Sequence, residues 1–143
     1  MSKADIVTFL SDDPDYRFTG LPLRVEYVDG LKWELLRDAT YHTKANEFST
    51  VHVGFLFDWA SIPRFLWWLF PPAGDGSNCY GIAALWHDHL YIKHTIGGRE
   101  ITRKEADGLF YEIMIYIKVN KAVALTMWSA VRSFGWRGWN RTK

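Results

Sequence analysis

The sequence predicts an α+β fold: a small antiparallel sheet in the N-terminal half packed with a bundle of three to four helices in the C-terminal half. Three observations carry this. Strand-like apolar stretches gather before residue 58, around an Asp29-Gly30 link. Capping residues and prolines that start and stop helices gather after it. The composition is globular: 48% of the 143 residues are hydrophobic and the formal net charge is +1, which is too apolar and too balanced for disorder.

Residues 1–20, punctuated by Asp12-Asp13-Pro14-Asp15, read as an irregular or weakly helical lead-in. Leu21 to Val28 and Leu31 to Ala39 flank Asp29-Gly30. Such a link favours a hairpin, because both turn positions take positive φ. Tyr41 to Ser49 reads as a loop. Thr50 to Phe57 reads as a third strand, with Val51, Val53, Phe55 and Phe57 on one side. Ser61 fits an N-cap and Pro63 a first turn, so a short helix runs through Phe65-Leu66-Trp67-Trp68-Leu69 and stops at Pro71-Pro72. Cys79 to His94 is the next helix, and Ile96-Gly97-Gly98-Arg99 a turn. Thr102 and Glu105 form a capping box for a helix reaching about Lys118. Asn120 starts a final helix that Gly135 ends, and residues 135–143 form an aromatic, basic tail. Nothing divides the chain, so residues 1–143 are expected to form one domain.

The low charge argues against broad electrostatic binding of nucleic acid. Cys79 is the single cysteine, so no intrachain disulfide forms. No signal pattern opens the chain and no apolar run reaches the roughly 18 to 20 residues of a membrane span, so a soluble protein made inside the cell is expected. Eight Trp point both to buried indoles and to an apolar surface for a partner or a lipid surface. The Trp and Arg of the tail suit stacking on nucleic acid, docking on another subunit, or wrapping the chain's own core.

Chemistry concentrates in Leu85-Trp86-His87-Asp88-His89-Leu90-Tyr91 and in Arg103-Lys104-Glu105-Ala106-Asp107. On a helix, His87 and Tyr91 share a face and Asp88 sits about 100° round. His87 lies eleven residues before Gly98 and Asp107 nine after it, so an antiparallel helix pair sets them at one height. Asp107 would then hold an imidazole N–H of His87 and raise its basicity, as a general base needs. Asp88 is left to bind a metal, and a hard cation such as calcium would want further oxygens from backbone carbonyls or Asp58. Blander readings stand beside these. His87 suits a buried imidazole satisfied by one acceptor, and Asp58 suits an ion pair with Arg64. A zinc site from His87, His89 and His94 is disfavoured, because the three do not share a face. Arg103 opposes the dipole at a helix start, so Asp107 or Asp58 is expected to hold it.

Asp58-x-Ala60-Ser61-Ile62-Pro63-Arg64, His87-Asp88-x-Leu90-Tyr91 and Arg103-x-x-Ala106-Asp107-x-x-Phe110 together resemble an uncharacterised family of small proteins encoded by tailed phages and prophages. That resemblance implies a virion, tail or assembly component with other phage structural proteins as partners. It would be made in the bacterial host cytoplasm, and the virion is its alternative location. A host-directed intracellular effector is another alternative. More narrowly, His87-Asp88-x-x-Tyr91 followed by Ala106-Asp107-x-x-Phe110 is similar to the helix pair of secreted phospholipases of the A-two type. This second resemblance implies a calcium-dependent ester hydrolase. In it His87 is the base, Asp107 its orienter, Tyr91 a supporting donor, and Asp88 with Asp58 the calcium ligands. The flanking disulfide cysteines and a Gly-rich calcium loop close before the His are absent here.

Overall fold

Alternating apolar residues build two small sheets, and a nearly all-apolar helix packs beneath them. The computed structural model describes residues 6–9, 16–20, 23–29, 32–57 and 80–141. Strands β1 (Ile6–Phe9), β3 (Leu23–Asp29), β4 (Lys32–Leu35) and β7 (Leu56–Phe57) form an antiparallel sheet in the order β1-β3-β4-β7. Strands β2 (Phe18–Thr19), β5 (Ala39–His42) and β6 (Phe48–Val51) form another, in the order β2-β5-β6. Helix α1 (Tyr80–Lys93), the hairpin β8 (Thr95–Ile96) and β9 (Arg99–Glu100), and helices α2 (Arg103–Tyr116), α3 (Lys121–Phe134) and α4 (Trp136–Arg141) complete an α+β fold.

The expected hairpin is present, but Asp29 ends β3 opposite Lys32 instead of standing in the turn, and the register shifts after Tyr27. The lead-in is not irregular throughout: Ile6–Phe9 pairs with Leu23–Glu26, and Phe18–Thr19 pairs with β5. Nor is Tyr41–Ser49 a loop. Tyr41 and Ser49 face each other across β5 and β6, and only the turn around positive-φ Asn46 is left between those strands. Thr50–Phe57 breaks after Val51. Gly54 turns at φ 88°, Asp38 accepts from Val53 N–H at 2.7 Å, and Val53 is 60% exposed, off the buried side that Val51 and Phe57 share. A period-2 pattern cannot report such a turn. The expected helix at Phe65–Leu69, with Ser61 and Pro63, lies outside the described residues.

Aromatic rings join the second sheet to the helices. Phe18 lies 4.8 Å from Tyr41, 5.4 Å from Trp86 and 5.8 Å from Tyr116, and Trp86 Nε1 donates to Ser49 O at 3.2 Å. Each such large side chain, fully buried, contributes roughly 1.5–3 kcal/mol. The helix caps form as the sequence predicts. Thr102 Oγ1 accepts from Glu105 N–H, and Asn120 Oδ1 accepts from Ala122 N–H at 2.9 Å. The tail is helical over Trp136–Arg141: Trp139 is buried, stacked at 3.7 Å on the His94 ring and edge-on to Tyr91. Among the described residues no helix is long and apolar enough to cross a membrane.

Candidate functional site

Every residue from Gly81 to Tyr91 is buried, so α1 is a central helix, apolar nearly all round. The β8–β9 hairpin, with Gly97 and Gly98 at positive φ, returns the chain so that α2 packs along α1. The two chemical motifs thereby meet. His87 Nε2 lies 2.8 Å from Asp107 Oδ1, and Tyr91 OH donates to the same oxygen at 2.6 Å. The other oxygen, Oδ2, accepts from Arg132 Nη1 at 2.7 Å and Arg103 Nη1 at 3.4 Å. These donors fill the roughly four lone-pair positions of one carboxylate. His87 is further fixed between the rings of Tyr91, at 4.2 Å, and Phe110, at 4.7 Å.

His87 and Asp107 are both fully buried. Burial works to raise the Asp107 carboxyl, but the donors His87, Tyr91 and Arg132 outweigh it and hold it below the usual carboxylate range. Burial pushes the His87 imidazole down, against the opposing pull of Asp107. It also pushes the Tyr91 hydroxyl up, helped by Asp107. Near neutral pH the pair is therefore an ionised carboxylate and a neutral imidazole. A carboxylate only accepts, so Nε2 carries the proton and Nδ1 keeps its lone pair. That Nδ1 is buried and has no hydrogen-bond partner among the described residues.

Arg103 explains its own placement. Its Nη1 also donates to Val131 O at 3.2 Å and Arg132 O at 3.1 Å, carbonyls of the last turn of α3. A cation that opposes the dipole of α2 thus satisfies that of α3. Arg132 carries no sequence signal toward Asp107, because a basic residue in a last turn is ordinary helix chemistry. Gly135 is a second unanticipated participant: a Cβ there would lie 2.5 Å from Tyr91 OH, so the bare backbone leaves room for the tyrosine that braces Asp107.

Asp88 is nearly buried beside His87. Asp58, the other predicted calcium ligand, lies outside the described residues. Calcium takes six to eight oxygens. Among the described residues no group of three or more His, Cys, Asp or Glu side chains is placed to hold a metal. His89 is buried, with its ring edge-on to Phe55 at 5.4 Å.

Residues 33–131, well over half of the chain, match the family described as protein of unknown function (DUF1353), and the chain belongs to that family. No curated protein and no solved structure matches it. The matched span holds His87, Asp88, Tyr91, Arg103 and Asp107, and it ends one residue before Arg132.

Proposed function

We propose that the chain is a small ester hydrolase in which His87 is the general base, Asp107 its orienting carboxylate and Tyr91 the donor that holds Asp107 in place. The observation that carries this reading is the Nδ1 of His87, which has no hydrogen-bond partner among the described residues and lies opposite a tautomer-fixing carboxylate. A buried polar atom without a partner is costly, by about 1–3 kcal/mol, and such sites call for a use. A base needs a free lone pair, a fixed tautomer and a neutral ring at working pH. Among the described residues His87 has all three.

The steps follow from these atoms. Nδ1 takes a proton from water as the water oxygen attacks the ester carbonyl carbon. Asp107 stabilises the imidazolium so formed. The imidazolium returns the proton to the alkoxide oxygen as the C–O bond breaks, which leaves acid and alcohol. Calcium at Asp88 belongs to the proposal as the group that would stabilise the oxyanion. The described donors, with one carboxylate, fall short of a calcium shell, so the steps run through His87 and its partners alone.

His87 is fully buried, and this favours a second reading. In that reading the node is a structural polar knot of a phage-encoded virion, tail or assembly component. One set of experiments separates the two. Purified protein with phospholipid vesicles and calcium should release fatty acid, and His87→Asn should abolish release while circular dichroism stays unchanged. No release across lipids and metals, with His87→Asn altering stability alone, leaves the knot. Mass spectrometry of purified particles then tests the virion reading, which absence of the chain from particles would end.

A further inference from the structure

Two residues beyond His87, helix rotation turns His89 by about 200°, toward the sheet side of α1. There it lines a cavity of about 250 Å³, together with Ser49, Thr50, His52, Lys93 and Thr95. Among the described residues no Asp or Glu lines this cavity. Asp38 faces His52 Nδ1 at 3.4 Å from outside the lining. His89 is 7% exposed, and its Nδ1 has no hydrogen-bond partner among the described residues. The cavity thus combines a buried imidazole without a partner among the described residues, an ammonium, a second imidazole and three hydroxyl-bearing residues.

We infer that this cavity is an anion site that takes a phosphate group, independent of the His87 chemistry. A tetrahedral oxyanion offers several acceptors to convergent donors, and Lys93 supplies a full positive charge at the rim. The hydroxyl of Thr50 is already fixed by Thr40 at 2.8 Å, which leaves Ser49 and Thr95 as the adaptable hydroxyls.

Imidazole NMR of the full chain tests this, with inorganic phosphate, acetate, and vesicles with or without phosphatidic acid as probes. Phosphate should shift the His89 resonances saturably, while the His87 resonances stay put. Lys93→Ala, at an exposed position, should weaken binding about tenfold. A response to free phosphate assigns a soluble ligand, and a response to phosphatidic-acid vesicles alone assigns a lipid headgroup; either supports the site. The proposal is overturned if neither phosphate source moves His89, if zinc moves it where phosphate does not, or if Lys93→Ala binds as well as wild type.

Discussion

Asp107 and Arg99 are hubs of similar geometry at opposite depths. Asp107 is completely buried and joins α1, α2 and α3 through His87, Tyr91, Arg103 and Arg132. Arg99, with half its side chain exposed, joins the β8–β9 hairpin to Glu47 at 2.9 and 3.0 Å and to Glu105 at 3.1 Å. The bond lengths scarcely differ, but the surroundings do. Water competes for every bond of Arg99, so its ion pairs contribute little net stability. Nothing competes at Asp107, so removing one member strands buried charge. Depth, more than distance, decides which hub holds the fold.

The largest expected effect is at the centre of the buried hub. Asp107→Ala should cost about 3–5 kcal/mol of unfolding free energy, because it leaves Arg132 and Arg103 facing a buried gap. Urea unfolding measures this, and a loss under about 1 kcal/mol would erase the contrast between the hubs. Tyr91→Phe removes one bond to a charged acceptor and should cost about 1.5–3 kcal/mol in the same assay.

Acid should act next, and on the buried groups. The His87 imidazole sits below its ordinary value of 6.5, and that of His89 is near 4. The unfolded chain therefore takes up these protons first. Stability from keeping both rings neutral is full above about pH 6.5 and falls as pH drops below it. Asp107 is held below its ordinary 3.8, so its share persists to about that pH and is lost beneath it. A thermal melt series should thus decline from about pH 6.5 and steepen below about 4. The smallest effect should come from Arg99→Ala, with a melting temperature indistinguishable from wild type. A clear drop there would mean that the hairpin, and not Asp107, sets the stability of the α1–α2 pair.

The buried hub was partly legible in the sequence. His87 and Asp107 sit eleven and nine residues either side of Gly98, and helical geometry turns that near-symmetry into contact. Arg103 announced itself by opposing a dipole. Arg132 did not, because its partner lies on another helix and no local spacing encodes the crossing of α3 over α2. The fold divides similarly. Thr102, Asn120 and Gly135 mark helix ends through their own hydrogen bonds, so sequence reports them. The strands at Ile6–Phe9 and Ala39–His42 exist through pairing with distant strands, and Val53 leaves its expected side through a turn at Gly54. Those are tertiary facts with no local period.

The reading of the buried hub as catalytic rests on which nitrogen of His87 carries the proton. Nitrogen-15 NMR of the folded chain at pH 7 measures this directly. A protonated Nε2 with a bare, pyridine-like Nδ1 is the predicted result. A ring with the proton on Nδ1, or one doubly protonated at that pH, would contradict the general-base account.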